Sequence, residues 1–492
     1  MKTVKLKSHF FIFIFLAFYF FFSAKKLISL PLPFYDWDES IYMEVGREMI
    51  EKKSFVPLWQ GKYWLDKPPL VMLIYGLIPK LLPFIQPEIS ARIFNLILNI
   101  FLLVIIYLSI IKITKSAVIA FFTVLLSSFT PLFIQRANMV NMDVFLALGW
   151  WGYFLFYPNF FLTTFFLSLA IFSKSLLGFY PLLIALLLEI SENMAKNKKI
   201  GKFDFKFFLL KKNTLKIFFQ VFIFSFWYGY MTYLFKNKFI FEHIYESHFK
   251  RVAASIEFHF GERLFYFFEI SKQLNLFFYL SLIGFFLIFY FFIKRKITLK
   301  NFLNYNLFLP WFLFLNITKT KIYWYLYPLI PQFSFYFGFS TDFLGTKIKN
   351  IWWRRTFLIL VFLIIGYWGI GKNNFLTSTY SAKDKYYQLA YFAKNNCSKI
   401  YFLPEESHRR SIKELEKMGL TITTTKWWGG HPALVYYTDN KIEFFYDQNL
   451  FLKKVGKKGA NDCFAYFKDE NFNFNENKLK LSKQFEDILI FK

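Results

Sequence analysis

Long apolar stretches separated by short lysine-rich segments are the feature that most constrains how this chain can fold. A helix needs about 20 predominantly apolar residues to cross the hydrocarbon core of a membrane. Of the 492 residues, 56% are hydrophobic and only 19% are charged, which excludes most soluble and disordered classes of protein. The chain is therefore predicted to be a polytopic α-helical membrane protein.

The basic residues are in large excess, with 60 Lys and Arg against 32 Asp and Glu and a net charge of +28. Lysine-rich loops on the cytoplasmic side of a membrane, together with contacts to acidic lipids, account for such an excess. We therefore predict membrane lipids as partners and no nucleic acid.

The lysine pattern also predicts the topology. A basic start, Lys2, Lys5 and Lys7, precedes an apolar run at residues 10–24, which we interpret as an uncleaved first span, a signal peptide being the alternative. Alternating the later stretches gives about eleven transmembrane helices, with the N-terminus cytoplasmic and the C-terminus extracytoplasmic. The predicted spans are residues 10–24, 93–111, 117–133, 144–157, 160–172, 176–190, 217–234, 274–293, 302–317, 322–338 and 356–371.

Two further segments bear on this topology. The stretch Pro68–Phe84 is short and contains Pro79 and Lys80, so we predict an amphipathic helix on the outer membrane surface. The most basic loop is predicted to be cytoplasmic, and it carries Lys196, Lys198, Lys199, Lys202, Lys206, Lys211, Lys212 and Lys216.

The last part of the chain differs in composition. Residues 1–371 are predicted to form the transmembrane domain, with outer loops at 31–89, 134–143 and 235–273, and residues 372–492 a small extracytoplasmic α/β domain. KIYFLPE and ALVYYT predict strands, and SIKELEKMG predicts a helix that ends at a glycine. Cys397 and Cys463 both lie in this domain, so a disulfide is permitted, two unpaired buried cysteines being the alternative.

The ionisable residues gather in the outer loops. A transporter or channel would need them within its spans, near the middle of the bilayer. A cluster at one membrane face favours chemistry at the interface, and its members are Asp36, Asp38, Glu39, Asp66, Lys67, Asp143, Glu242, His243, Glu246, His248, Arg251 and His259.

Asp38 and Glu39 directly follow the first span and precede a helix-like stretch. Such acidic residues cap a helix start, and a carboxylate just outside the bilayer can also act as a general base toward a hydroxyl. Adjacent side chains cannot both point to one face, so we expect one to act and the other to hold structure. The sequence leaves capping and catalysis open.

Isolated basic residues suggest phosphate. Lys67 precedes Pro68 and Pro69, whose restricted backbone fixes the direction of the lysine, although an interfacial snorkelling lysine is the alternative. Arg251 follows His248 by three residues and can grip a phosphate, although surface solvation is the more common explanation of such a pair. Lys319 and Lys321 lie on the outer side of the membrane in this topology, which suggests that they bind an anion such as a lipid phosphate. An error of one span in the topology is the alternative.

Taken together, these segments resemble the polytopic GT-C glycosyltransferases that use polyprenyl-phosphate sugars. The group contains the lipid A 4-amino-4-deoxy-L-arabinose transferase and relatives of the bacterial protein O-mannosyltransferases. The resemblance covers roughly residues 30–340 and rests on WDESIYMEVGREMI, WQGKYWLDKPPL, EISARIF, RANMVNM with Asp143, FSKSLLGFYPLL, ESHFKRV with His259, and KTKIYWYLYPLIP.

The resemblance implies roles for particular residues. It implies catalytic carboxylates at Asp38, Glu39 and Asp143. It also implies a divalent metal, Zn, Mg or Mn, at Asp66 and His248. The implied substrate-binding residues are Lys67, Arg251, Lys321 and Tyr325. One position departs from the family: Ile41 stands where the arabinose transferases have an arginine.

We predict an inner-membrane glycosyltransferase with an extracytoplasmic active site. Nucleotide sugars are absent outside the cytoplasm, so the sugar must arrive on a polyprenyl phosphate such as undecaprenyl phosphate. Lipid A is the preferred acceptor and protein the alternative. One base without a second nucleophilic carboxylate predicts inversion. A lipid-linked sugar flippase and a membrane scaffold with a sensing domain are the alternatives of other classes.

Overall fold

Apolar helices form a bundle in the computed structural model, which describes residues 10–196, 209, 211–372, 384–457, 459–468 and 479–492. Lys2, Lys5, Lys7, Lys198, Lys199, Lys202 and Lys206 of the predicted topology lie outside the described residues. The helices of the bundle are Phe10–Ser29, Pro87–Thr114, Ala117–Phe129, Asp143–Phe156, Phe160–Lys174, Tyr180–Lys196, Lys212–Phe235, Phe277–Ile293, Leu309–Ile317, Ile330–Lys347 and Ile351–Lys372.

The surface and the interior of the bundle are both apolar. Large side chains such as Phe161 and Tyr367 are more than four-fifths exposed, at 81% and 86%. Inside, aromatic rings pack in contact, as where the Trp150 and Tyr180 ring centroids lie 4.6 Å apart. Such a broad exposed apolar surface is stable in lipid and not in water, so the protein is a multi-pass membrane protein.

The predicted number of spans is not confirmed. By length and apolarity, five helices of the described residues can cross a membrane, or up to seven if each of two bent pairs counts as one span. The bent pairs are Ala117–Phe129 with Pro131–Ala137, at 75°, and Phe265–Leu274 with Phe277–Ile293, at 114°.

One long apolar segment contains a chain reversal. The helix Phe160–Lys174 leads through a 3-10 turn, Ser175–Phe179, into the helix Tyr180–Lys196. The Tyr157 hydroxyl, just before the first helix, donates to the Glu189 carboxylate in the second. The second helix therefore runs back along the first, as the two predicted spans 160–172 and 176–190 require.

Shorter elements at the end of the bundle build the region that carries the predicted site. The helix Asp38–Glu51 crosses Leu70–Leu81 so closely that a Cβ on Gly46 would lie 2.3 Å from the Met72 carbonyl oxygen. The predicted amphipathic segment is thus a 12-residue helix. The other short elements are Pro131–Ala137, Asn237–Phe239, Ile240–Lys250, Arg251–Ala253, Phe265–Leu274, Leu299–Tyr305 and Tyr323–Leu329.

A two-stranded hairpin, β1 (Leu58–Trp59) and β2 (Lys62–Tyr63), lies between these helices. Gln60 and Gly61 at its turn have φ of 48° and 77°, the left-handed backbone that a tight hairpin of this type requires. The buried Glu48 carboxylate accepts hydrogen bonds from both of their amides, at 2.8 Å from Gly61. The helix Asp38–Glu51 therefore anchors the loop that leads to Lys67.

The C-terminal part contains a five-stranded sheet in the order β4-β3-β5-β7-β6. The inner strand β3 (Ile400–Phe402) is parallel to β4 (Ile442–Phe444) and to β5 (Cys463–Phe467). β7 (Ile488–Phe491) is antiparallel to β5 and to β6 (Leu481–Phe485). The accompanying helices are Lys385–Asn396, Glu406–Lys417, Ala433–Tyr437 and Gln448–Val455. The predicted domain boundary at residue 371 adjoins residues 373–383, outside the described residues.

The local predictions for this part have mixed outcomes. KIYFLPE contains β3, and SIKELEKMG ends the helix Glu406–Lys417 before Gly419, which has a φ of 68°. The strand predicted at ALVYYT is wrong, because this segment is the helix Ala433–Tyr437, which begins after Pro432 and buries Leu434 and Val435. Its buried face packs on neighbouring helices, and this tertiary packing overrides the strand propensity of the residues. Cys397 and Cys463 are disulfide-bonded.

The C-terminal part is joined to the first outer loop. The Phe34 amide donates to the Tyr437 hydroxyl at 2.6 Å, and the Phe34 carbonyl accepts from the Tyr387 hydroxyl at 2.7 Å. Asp36 accepts from the Ala433 amide at 2.9 Å and lies 3.0 Å from the ring nitrogen of His431. The two regions thus share a buried, hydrogen-bonded interface.

Candidate functional site

A cavity of about 470 Å³ lies where the outer loops meet the C-terminal part. Its volume falls within the range of small-molecule sites, roughly 300–1,000 Å³. The charged residues in its wall lie near the ends of apolar helices, so the cavity is at one end of the bundle. These residues are Asp36, Asp38, Asp66, Lys67, Arg136, Lys174, His248, Arg251, Glu257 and His259.

Asp38 begins the helix Asp38–Glu51 and faces the cavity. Its side chain remains 24% exposed, and one carboxylate oxygen lies 3.1 Å from the Arg136 guanidinium. The Tyr42 hydroxyl, one turn later, donates to the other oxygen at 3.3 Å. Asp38 is therefore oriented by two neighbours while its carboxylate stays accessible.

Glu39 does not line the cavity, although the sequence placed it beside Asp38 as a catalytic candidate. It is fully buried, and both of its oxygens accept from Arg92, at 2.9 and 2.6 Å. The amides of Tyr35 and Val140 each donate to it at 2.7 Å. We call this set, Glu39 with Arg92 and the two amides, the Glu39 clasp; it ties three chain segments together.

Asp143 also lies behind the cavity wall. It begins the helix Asp143–Phe156, is 2% exposed, and pairs with Lys174 at 2.5 Å and with Arg136 at 3.6 Å. Arg136 and Lys174 themselves line the cavity. Asp143 therefore contacts the cavity through two cations, and its carboxylate is arranged to position them.

Lys67 and Asp66 form a pair in the wall, with Lys67 Nζ 3.0 Å from a carboxylate oxygen of Asp66. Burial opposes the charge of Asp66, but the Lys67 ammonium and the Arg251 guanidinium outweigh it and hold the pKa of Asp66 below its usual value. Burial lowers the pKa of Lys67. An ammonium has three N–H donors, so Lys67 keeps capacity for an anion beyond its contact with Asp66.

His248 and Arg251 reach the cavity from a π-helix, Ile240–Lys250, and the turn that follows it. Long π-helical segments are rare, and shorter ones recur at functional sites. Among the described residues, His248 Nε2 and Arg251 Nε are buried without a hydrogen-bond partner. Arg251 lies 3.6 Å from Glu257, a loose ion pair. Burial lowers the pKa of His248 strongly and that of His259 to about 4.

The two substrate-binding residues predicted late in the chain have different positions. Tyr325 lines the cavity, and Lys174 Nζ lies 5.1 Å from its ring centroid. Lys321 is not in the cavity wall. Its Nζ donates to the carbonyls of Leu315 and Asn316 at 3.1 and 3.0 Å, so a helix end supplies the negative partner that the sequence had attributed to a ligand.

The predicted metal pair, Asp66 and His248, does bring two possible ligands into one cavity. Within the described ranges, no group of three or more His, Cys, Asp or Glu residues could hold a metal ion. A catalytic zinc site commonly has three protein ligands, and the carboxylate of Asp66 is already paired with the Lys67 ammonium. Asp66 and His248 therefore offer two possible ligands, without a third beside them among the described residues.

Several wall residues were not assigned from the sequence. Arg136 and Lys174 occur inside segments that carry the family resemblance, but each lies on an apolar helix and reads as an interfacial cation. Their long-range partners Asp38 and Asp143 would have been the signal. Ile422, Thr424 and Trp428 come from the C-terminal part, more than 300 residues after Asp38, and no local pattern marks them.

The fold resembles solved structures over nearly its whole length. ArnT from Cupriavidus metallidurans bound to undecaprenyl phosphate matches at a TM-score of 0.66 and 13% identity, covering 97% of this chain and 97% of that one. The same protein in the apo state matches at 0.65 and 14% identity, over 98% and 96%. No protein-family model and no curated protein matches the chain.

A second group of structures matches less closely. The archaeal oligosaccharyltransferase AglB from Archaeoglobus fulgidus, in complex with an inhibitory peptide and a dolichol phosphate, matches at a TM-score of 0.56 and 10% identity. That match covers 93% of this chain and 70% of that one. The two groups of neighbours confirm the predicted GT-C architecture, and the chain is a membrane protein of the GT-C fold.

Proposed function

We propose that this protein is an integral membrane glycosyltransferase that transfers a sugar from a polyprenyl phosphate to an extracytoplasmic acceptor. The observation that carries the proposal is the cavity, which combines an accessible carboxylate, Asp38, with the cations Lys67 and Arg251. The structural neighbours crystallised with undecaprenyl phosphate and dolichol phosphate support a donor of this class.

The reaction needs a base and a site for a phosphate leaving group. The Asp38 carboxylate takes the proton from an acceptor hydroxyl, whose oxygen then bonds to the anomeric carbon of the sugar. The bond from that carbon to the phosphate oxygen breaks, and the phosphate leaves with the electron pair. Lys67 and Arg251 line the cavity and stabilise the charge that develops on it, because cationic N–H groups are strong donors to a phosphate.

The neighbouring groups prepare the base and the cations. Arg136 orients the Asp38 carboxylate, and Asp143 fixes Arg136 and Lys174 in turn. Only Asp38 among the three predicted catalytic carboxylates faces the cavity, and a single base without a nucleophile leads to inversion at the anomeric carbon.

The finer assignments follow the orientation predicted from the lysine pattern. The protein lies in the inner membrane with about eleven spans, the N-terminus cytoplasmic, and the cavity and the C-terminal part extracytoplasmic. Lipid A is the preferred acceptor, as the resemblance to the lipid A arabinose transferases implies, and protein is the second.

Mass spectrometry of lipid A and of envelope glycoproteins tests the proposal, in cells with the protein, without it, and with Asp38→Asn. Loss of a sugar-sized mass from lipid A in both the deletion and the variant is the expected result. Loss from glycoproteins alone would change the acceptor. If neither product changed and polyprenyl-linked sugar accumulated on the inner leaflet, the protein would be a flippase.

A further inference from the structure

One wall of the cavity is supplied by the C-terminal part. Residues 420–428, which we call the 420–428 segment, bring Ile422, Thr424 and Trp428 to the cavity surface. This wall contrasts with the side that carries Lys67 and Arg251, because none of its three lining residues is charged.

The 420–428 segment is fixed to the outer loops by hydrogen bonds. The Glu246 carboxylate accepts from the Thr423 amide at 3.0 and 3.2 Å, and the Glu257 carboxylate accepts from the Thr425 hydroxyl at 3.1 Å. The Trp59 indole donates to the Trp427 carbonyl at 3.2 Å. The wall is therefore a built part of the cavity.

Two polar atoms in this region lack a partner. Thr424 Oγ1 and Trp64 Nε1 are buried without a hydrogen bond to any described residue, and their side chains are only 4% and 2% exposed. Both residues line the cavity. A buried polar group without a partner costs roughly 1–3 kcal/mol, so a ligand that supplies the missing partners is favoured here.

Three tryptophan rings pack together beside this wall. The Trp428 ring lies 4.8 Å from that of Trp59 and 5.8 Å from that of Trp64, both in edge-to-face geometry. A sugar ring presents C–H groups that pack against aromatic side chains, and hydroxyls that pair with a hydroxyl or an indole N–H. A phosphate group would instead bind on the side of the cavity that carries Lys67 and Arg251.

We propose that Thr424, Trp64 and Trp428 form a subsite for a sugar ring, so that the C-terminal part takes a direct role in sugar recognition. This inference rests on the proposed function and names part of its substrate site. The ring belongs either to the donor or to a glycolipid acceptor, and the experiment separates these sources.

The probe is the lipid extract of host cells that lack the protein, in which unused donor accumulates. The full-length protein in nanodiscs is incubated with this extract, and native mass spectrometry gives the ratio of bound sugar-bearing to bare polyprenyl phosphate. Thr424→Val keeps the side-chain volume and removes the hydroxyl, so we expect this ratio to fall about fivefold to tenfold. Thr424→Ser should restore it.

Thr423→Val is the matched control, because Thr423 is the exposed neighbour and its side chain does not line the cavity. It should leave the ratio unchanged, and bare lipid should bind equally to every variant. If Thr424→Val spares the ratio but lowers sugar transfer in cell envelopes by the same factor, the subsite holds the acceptor sugar.

Two results would overturn the inference. One is an unchanged ratio with unchanged transfer in Thr424→Val, and the other is an equal loss of bare and sugar-bearing lipid. A wild-type protein that binds no polyprenyl phosphate at all would instead overturn the proposed function, and the sugar subsite with it.

Discussion

Asp38, in the cavity wall, and Glu39, in the Glu39 clasp, are adjacent in sequence but differ in exposure and in hydrogen-bond partners. Asp38 keeps 24% of its side chain exposed and has one ion pair at 3.1 Å. Glu39 is fully buried and accepts hydrogen bonds from a guanidinium and from two backbone amides. Accessibility, and not carboxylate chemistry alone, therefore separates the proposed base from a structural anchor.

The same contrast recurs among the cations of the cavity region. Lys67 and Arg251 line the cavity, whereas Lys321 lies outside its wall and donates to two backbone carbonyls. A positive charge at the correct depth is therefore insufficient to mark a phosphate ligand. The decisive property is whether the cationic side chain lines the cavity or is held by groups of the protein outside it.

We expect the largest effect on activity from a change at Asp38, the accessible carboxylate of the two. Asp38→Asn removes the base without changing the side-chain volume, so we expect the transfer rate to fall by about 10²–10⁴-fold. The melting temperature of the purified protein should move by less than about 3 °C, since the Arg136 guanidinium keeps Asp143 as a partner. Full activity in this variant would show that Asp38 is not the base, and Asp143 would be the next residue to test.

The converse change tests the Glu39 clasp. Glu39→Gln leaves Arg92 buried without its carboxylate, so we expect the free energy of unfolding to drop by about 3 kcal/mol. Denaturant unfolding in detergent measures the loss. Glu443→Gln is the control, because its pair with Lys399 is exposed and should contribute less than about 1 kcal/mol. Equal losses in both variants would mean that the clasp is not an anchor.

A comparison of two lysines sharpens the phosphate assignment. Lys67→Met should raise the KM for the polyprenyl-phosphate donor about 10–100-fold, because it removes a charged donor from the cavity. Lys321→Met should leave that KM unchanged and lower only the melting temperature. Steady-state kinetics with both variants measures these KM values. A raised KM in Lys321→Met would mean that Lys321 also binds the donor.

The smallest effect concerns pH. Burial lowers the pKa of His259 to about 4, below the usual 6.5, so the folded state favours the neutral ring. This contribution to stability is fully present above pH 6.5 and is lost as the pH falls toward 4, because the unfolded chain takes up the proton first. We expect a loss on the order of 1 kcal/mol at pH 5, absent in His259→Asn. Thermal unfolding at pH 8 and pH 5 compares them, and identical pH dependence would contradict the prediction.

Local and periodic features were predictable from the sequence. The apolar helices and the short helix after Pro68 and Pro69 follow from runs of apolar residues, and the helix that begins at Asp38 has the acidic first turn that favours a helix start. The grouping of Asp38, Asp66, Lys67, His248, Arg251 and Tyr325 in one cavity agrees with the residues that the family resemblance singled out.

Features that depend on distant partners were not predictable. The roles of Asp38 and Glu39 separate only through Arg136 and Arg92, which lie on other helices. ALVYYT has the composition of a strand, and its tertiary surroundings make it helical. The pairing of Cys397 with Cys463 required the sheet to bring β5 beside β3, which residue spacing alone cannot establish.

The contact between Phe34 and Tyr437 joins residues that are 403 positions apart. During synthesis the ribosome delivers the first outer loop long before the segment that completes the cavity. Asp38 and Lys67 are therefore synthesised while the last wall of the cavity is still missing, and this wall is complete only after translation has passed Trp428. A chain that ends before residue 420 carries Asp38 and Lys67 but lacks the wall that Ile422, Thr424 and Trp428 supply, so the cavity is enclosed only late in synthesis.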